Sequence, residues 1–478
     1  MSFVIDFFKY CNNGHLVGAQ VSVMAGDCYQ LDLAYGNASL EDNRKVMLDT
    51  VFRIASISKI VVAMAVLQLA EKDLISLDDD IGEILGFKIR NPRFPNDKIT
   101  IKMLMTQTSS ITDGYDDENP LYDGIIAGYN GVNGKTLPVT LEQLLVPGSG
   151  KYYTDLTWSD AAPGCRFIYS NFGCGILACI VEAVTGMYFT DYAAQKILIP
   201  LGVDASFRAS EIRNKAAIAD LYYTAKDGRY RLARTGQSFI KSVYPRFPLK
   251  ENYRGPAGGL FISMRDLSKI ARLLINDGVW GGVRILEKET VDLMLQLHWF
   301  GQNNSYKAKG LQLKIMDFAG RTFKGHTGSA YGVISYLFIN REEKLGICFI
   351  TNGGQYRRGK LMYDIQENIF RTFLQHYWPS RKSKHRFTAD LRVMHGFLDD
   401  RIIVLDSIPQ IKSNDIYFSI KNIADIFNIV PIAEANRTIL MFRRHQLVTA
   451  EPMLGLKAVC MKFKVEYHLM GNQLEIFY

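Results

Sequence analysis

The chain has 478 residues, 48% of them hydrophobic and 22% charged, with 56 basic against 48 acidic side chains for a net charge of +8. That is the composition of a globular protein with ample length for a full core and room for two to four domains. The basic residues form neither a long stripe nor a nucleic-acid reader motif, and the densest run, RKSKHR at 381–386, reads as a solvated linker, so nucleic acid is excluded as the expected partner.

The N-terminus, MSFVIDFFKYCNNGH, lacks a basic leader region, and Asp6 and Lys9 interrupt its apolar run. The longest apolar segment, IVVAMAVLQLA at 60–70, is too short to span a bilayer and is closed by Lys59 and Glu71. The expectation is a cytoplasmic chain with no integral membrane segment, or an extracellular one if an export signal has been removed. Of the seven cysteines (Cys11, Cys28, Cys165, Cys174, Cys179, Cys348 and Cys460) none forms a CxxC pair. They read as small buried hydrophobes in a reducing compartment, not as a disulfide framework.

In chain order, LVGAQVSVMAGDCYQLDLAY (16–35) alternates loosely around a Gly-Asp turn and predicts a β-hairpin. A helix is expected from about Ser56, apolar on almost every face and therefore central. Residues 110–165 are rich in Gly, Asp, Asn, Tyr and Pro and read as a long irregular wall or lid, whose Asp113, Asp116, Asp117 and Glu118 suit a solvated acidic loop. GCGILACIVEAVTGM (173–187) predicts a second apolar helix closed by Gly186, and DLSKIARLLINDGVW (266–280) a third helix. YGVISYLFINREEKLGICFITN (331–352) predicts two long strands joined by a charged turn. Strands at both ends with helices between them predict an antiparallel sheet packed by helices.

After HYWPSRKSKHR (376–386) the character changes. IYFSI (416–420) reads as a strand, KNIADIFNI (421–429) as a short amphipathic helix, and CMKFKVEYHLMGNQLEIFY (460–478) as one hairpin with Met461, Phe463, Val465, Tyr467 and Leu469 on a single face. The expected division is a catalytic domain at 1–378, a linker at 379–386 and a small C-terminal α+β domain at 387–478.

Three short segments carry chemistry. In VFRIASISKI (51–60), Ser56 and Lys59 are three residues apart and share a helix face, while Ser58 points elsewhere. A serine in the first turn lies near unpaired helix amides, and an adjacent amine in apolar surroundings can activate its hydroxyl. In IYSNFG, Tyr169 can shuttle a proton and Asn171 can hold a substrate amide, just before the second apolar helix. In GHTGSAYG, Gly328 permits close backbone approach at a strand, Thr327 and Ser329 offer hydroxyls, and His326 is a second proton-active group or part-time cation. Each segment alone is also what a capped helix or a turn looks like. Together, in this order, they are specific.

The order SxxK, YxN, HTG resembles the serine penicillin-recognising enzymes, in the branch of class C β-lactamases, DD-carboxypeptidases, D-aminopeptidases and related esterases. IKMLMTQTSSI (101–111) is similar to that branch's LLTHTSGL segment, with Gln107 for the histidine and Ser110 for the glycine. PGCRFIYSNFGCGILACIVEAVTGMYFTDYAAQKILIPLGV (163–203) and GPAGGLFISMRDLSKIARLLINDG (255–278) resemble it almost throughout, and the likeness covers roughly residues 15–375. It implies an α+β β-lactamase-like domain: an antiparallel sheet flanked by helices, plus an all-helical lobe. It also implies an acyl-enzyme on Ser56, with Lys59, Tyr169 and His326 moving protons. Asn171, Thr327, Gly328 and Ser329 would hold substrate, and the Ser56 and Ser329 amides would form the oxyanion hole. No metal or organic cofactor is called for, and the implied partner is a small peptide, ester or β-lactam.

Where class C β-lactamases carry lysine, His326 resembles the peptidases, so the expected activity is a peptidase or carboxypeptidase on D-amino-acid-containing peptides. A carboxylesterase, a β-lactamase and a non-catalytic penicillin-binding or sensor protein are the alternatives. If neutral His326 is required, rate is expected to fall below about pH 6 to 7. The C-terminal unit more weakly resembles the small domain named after the copper amine oxidase N-terminus, without a His/Cys set that would bind copper. Oligomeric state is left open.

Overall fold

The computed structural model describes residues 3–114, 139–150, 152–241, 245–301, 307–318 and 322–377, and most of 386–477. The chain divides into two compact units, Met1–Ile315 with Lys324–Trp378, and Met316–Phe323 with Pro379–Tyr478. The expected linker falls almost wholly outside the described residues, as do Asp116, Asp117 and Glu118.

The first unit is built on a nine-stranded sheet among the described residues. The N-terminal hairpin forms as its alternation predicts, from Gly18–Ala25 and Tyr29–Ser39. Its first strand also pairs antiparallel with Leu345–Thr351, from Ala19 opposite Thr351 to Ala25 opposite Leu345. Leu345–Thr351 pairs with Val333–Asn340, which in turn pairs with Thr322–Ala330, so His326 lies opposite Leu337 and Gly328 opposite Ser335. Val333–Asn340 and Leu345–Thr351 are buried along their whole length because both faces are covered. Leu337, Ile339, Cys348 and Ile350 join the main core. On the alternate face, Tyr336 and Phe338 meet the ring of Phe370, from the helix Asp364–Tyr377.

The helical lobe centres on Ser58–Ala70, in which every residue but Ala70 is buried. It packs against Asn171–Thr185. Ser170 caps that second helix by accepting from the Gly173 amide, and Gly186, at φ 67°, ends it in the left-handed conformation expected of a C-cap. Both helices are apolar enough to lie at the centre because their partners are other apolar elements, not solvent. Among the described residues no single helix is long and apolar enough to cross a membrane.

Two expectations are corrected. The region 110–165 is not irregular throughout. Leu141–Leu145 is a helix with a full capping box from Thr140 and Gln143, and Val139, Leu141, Leu144, Leu145 and Trp158 are buried. One turn and a half of helix leaves too few residues for its period to stand out among glycines and aspartates. Residues 115–138 lie outside the described residues. In the second unit, 460–478 is not one hairpin: Leu456–Phe463 is a helix, and only Glu466–Met470 and Gln473–Phe477 pair. Leu456, Val459, Cys460 and Phe463 are buried at helical spacing while Met461 is 81% exposed. A window opening at Cys460 cuts off the Leu456 and Val459 that reveal the period. The strand Asp415–Ser419 and the helix Ile420–Phe427 form close to where they are expected, and Phe418, Phe427, Phe442 and Phe463 lie in this unit's core.

Two carboxylates tie loop 245–256 to the helical lobe. Glu251 accepts from the Leu141 amide at 2.7 Å, at the start of Leu141–Leu145, and Glu182 accepts from the amides of Phe189 and Lys250. Burial raises both carboxyls, Glu251 to about 7 with a further push from Glu182. A raised folded-state carboxyl holds its proton where the unfolded chain has released it, so stability falls as pH rises from about 4.5 to about 7. Glu251→Gln keeps an acceptor for Leu141 and removes the titration. Thermal melts at pH 5 and pH 7.5 should therefore show the variant gaining on the parent at the higher pH; a difference independent of pH contradicts this.

Candidate active site

The segment before the central helix is bent sharply. Ala55, a residue with a side chain, sits at φ 52°, in the left-handed region, and Ala55–Ile57 forms a 3-10 turn that runs into Ser58–Ala70. A non-glycine residue held there costs about 1–3 kcal/mol and is kept only where its surroundings over-determine it. The strand Thr322–Ala330 supplies that constraint. A β-carbon added at Gly328 would stand 2.5 Å from the Ile54 carbonyl oxygen and 3.2 Å from the Ala55 β-carbon. Only glycine lets the strand lie this close to the turn. Ser58 helps from the other side: its hydroxyl donates to the Ala55 carbonyl at 2.7 Å and accepts from the Leu260 amide at 3.0 Å.

The turn presents the half-buried Ser56 to two donors. Lys59 Nζ donates to Ser56 Oγ at 3.1 Å, as the three-residue spacing predicts, and the Tyr169 hydroxyl donates to the same oxygen at 2.7 Å. Lys59 is fully buried, and its ammonium also donates to Asn171 Oδ1 and to the Ala257 carbonyl, each at 2.8 Å. It lies 4.9 Å from the centre of the Tyr169 ring, close enough for a cation–π attraction. Two segments more than a hundred residues apart thus meet on one hydroxyl.

Thr327 accepts a hydrogen bond from Lys314 Nζ at 3.0 Å. His326 is buried beside Tyr169, ring centres 6.2 Å apart, with Nδ1 2.6 Å from the Thr327 carbonyl oxygen. That carbonyl can only accept, so Nδ1 carries the proton and donates. Nε2 is left as an acceptor, with no hydrogen-bond partner among the described residues.

Sequence reasoning overlooked several residues that hold this centre. The Gln107 side chain accepts from the Ser170 amide at 2.6 Å and donates to Gln312 Oε1 at 3.0 Å. Ala257 lies within the quoted GPAGGLF segment, but as a backbone acceptor it has no side-chain signature. Asp113, grouped above with a solvated acidic loop, instead sits half-buried under the start of Asn171–Thr185 and accepts from Ser170, Asn171 and Phe172. A helix start one residue beyond a Tyr-Ser pair was the available signal, since four amides there need acceptors. Among the described residues no group of three His, Cys, Asp or Glu is placed to hold a metal ion.

The protein family described as Beta-lactamase matches residues 5–366. The chain belongs to that family. Among curated proteins, this β-lactamase family member is 25% identical over 348 residues to penicillin-binding protein 4 of Amycolatopsis lactamdurans, 71% of this chain and 82% of that protein. Among solved structures it is similar to the octameric penicillin-binding protein homologue from Pyrococcus abyssi, with a TM-score of 0.61 and 21% identity over 94% of this chain and 99% of that one. It is also similar to a D-stereospecific amidohydrolase from Streptomyces sp., with a TM-score of 0.58 and 19% identity over 79% of this chain and 99% of that one. At these identities the structural likeness is one of fold. The β-lactamase-like α+β fold is therefore established, and the chain is a member of the serine hydrolase superfamily.

One expectation for this family member changes with the geometry. Burial, reinforced by the charges of Lys309, Lys59 and Lys314, holds the His326 imidazole well below the usual histidine range. A part-time cation near neutral pH is not what this site supports. The acid limb expected near pH 6 to 7 moves lower, because the ring stays neutral through that range. Acylation rates of the parent and of His326→Gln, measured from pH 5.5 to 8, should have the same shape between pH 6 and 7. A limb there that vanishes in the variant would overturn the assignment of a neutral ring.

Proposed function

We propose that this protein hydrolyses peptides containing D-configured residues through an acyl-enzyme on Ser56. The observation that carries the reading is the convergence of Lys59 and Tyr169 on Ser56 Oγ, at 3.1 and 2.7 Å. Once the coupled Lys59–Tyr169 pair has released one of its own protons to solvent, it can act as base, and Ser56 Oγ forms a bond to the substrate carbonyl carbon as its proton passes to that pair. The developing oxyanion is received by the backbone amides of Ser56 and Ser329, a contribution of about 3 kcal/mol per donor. The close passage of Gly328 over Ala55 supports this pairing of amides. The carbon–nitrogen bond then breaks, and Tyr169, with neutral His326 beside it, returns the proton to the leaving amine. Water cleaves the resulting ester and restores the Ser56 hydroxyl.

Substrate grip follows from the remaining groups. Asn171 gives its oxygen to Lys59 and one N–H to Asp113, which leaves its second N–H for the carbonyl of the acyl side chain. Thr327 and Ser329 receive the carboxylate of a substrate with a free C-terminus, and the Lys314 ammonium on Thr327 supports an anion there. A carboxypeptidase-like preference follows, in place of recognition of a free amino end. Metal and organic cofactors have no part in this reading.

A fluorophosphonate probe should label the protein at Ser56, with labelling lost in Ser56→Ala and slowed about 10²- to 10⁴-fold in Lys59→Ala and Tyr169→Phe. Acyl-D-Ala-D-Ala should then be cleaved in preference to its C-terminal amide, to p-nitrophenyl esters and to penicillin. Absence of labelling under all conditions would instead indicate a binding or sensor protein; cleavage confined to esters or to β-lactams would indicate an esterase or a β-lactamase.

A further inference from the structure

We infer that Asp113 is a positioning residue that fixes the orientation of the Asn171 amide and, through it, holds Lys59 against Ser56. The inference rests on the proposed role of Ser56 as nucleophile. Asp113 Oδ2 accepts from Asn171 Nδ2 at 2.8 Å, while Oδ1 accepts from the Phe172 amide at 2.9 Å and from the Ser170 hydroxyl at 3.1 Å. All three partners are donors. A carboxylate, with acceptors on both oxygens, is the side chain that can satisfy all of them at once.

The consequence reaches Lys59 by donor and acceptor logic alone. Asn171 has one end that accepts and one that donates. With the donating end turned to Asp113, the accepting end faces Lys59 Nζ at 2.8 Å. If the amide turned over, its NH₂ would face an ammonium and its oxygen would face a carboxylate, and both contacts would be lost. Asp113 therefore forms the outer end of a line that runs carboxylate, amide, ammonium, hydroxyl. Ser170 is held in the same grip: its hydroxyl donates to Asp113 and accepts from Gly173, and its own amide donates to Gln107. The segment 107–113 thus clamps residues 170–172 at both ends, with Tyr169 directly before them.

Asp113→Asn is nearly isosteric but replaces one acceptor with a donor. Whichever way the new amide turns, a donor meets a donor, either at Asn171 or at Ser170 and Phe172. The test is the rate at which a fluorophosphonate acylates the full-length chain, resolved into a maximal rate and a half-saturating concentration. Asp113→Asn should lower the maximal rate about 10- to 100-fold with little change in half-saturation. In the Asn171→Ala background the same substitution should cost less than about threefold, because the residue it acts through is gone. Equal losses in the two backgrounds would show that Asp113 only supports the helix start, and an undiminished rate in Asp113→Asn would remove its role altogether. Should Asp113→Asn not fold, Asp113→Ser, which keeps an acceptor near the Phe172 amide, is read through the same cycle. If Ser56 is not labelled in the parent chain, the reading of Ser56 as nucleophile fails, and the clamp is then decided by an NMR readout. The Asn171 side-chain amide resonances should move in Asp113→Asn, and unmoved resonances would overturn the clamp.

Discussion

An ammonium removed from water costs several kcal/mol unless its protons are received, and Lys59 is wholly buried. It has three protons to give and three acceptors within 3.1 Å: Ser56 Oγ, Asn171 Oδ1 and the Ala257 carbonyl. Each acceptor comes from a different part of the chain. The strained turn at Ala55, the capped start of Asn171–Thr185 and the glycine-flanked segment around Ala257 must all arrive together, or a charged group is left orphaned in the core. The same contact that readies a hydroxyl for chemistry therefore also closes the helical lobe. This is a case in which the stability of the fold and the geometry of the site are one interaction seen from two sides.

Much of this was legible in residue order. The apolar saturation of 60–70 announced a central helix, and only Ser56, not Ser58, had a lysine on its own face. Gly186 announced the C-cap of Asn171–Thr185, and the alternation around Gly26 the N-terminal hairpin. The first-unit sheet was legible because both of its long C-terminal strands are continuous runs of buried residues with a charged turn between them. What stayed hidden has a common cause. Asp113 looked like one of several loop acids because its three donors are backbone and side-chain groups some sixty residues away, and donors have no sequence period. Ala257 acts through a carbonyl, which every residue possesses. The end of the helix Leu456–Phe463 reads as strand because Phe463 fits both periods, while Leu456 and Val459, which decide between them, lie upstream.

His326 shows how placement changes the chemistry of a side chain whose identity was read correctly. A histidine in a short Gly-rich strand suggests a group that gains and loses a proton near neutrality. Buried on its strand with three lysine charges around it, the ring is instead a fixed neutral dipole: its proton is spoken for by the Thr327 carbonyl and its second nitrogen is left accepting. Where a lysine at this position would add positive charge, the imidazole adds none, and the positive character near Thr327 comes from Lys314 on a neighbouring strand.

The two groups that contact Ser56 differ sharply in their access to solvent: Lys59 has none, while Tyr169 is 37% exposed. Of the pair, only the phenol offers an exit to bulk water for a proton taken from the hydroxyl. A molecule lying across that ring would shut the doorway, and the proton would stay inside until the departing group collected it.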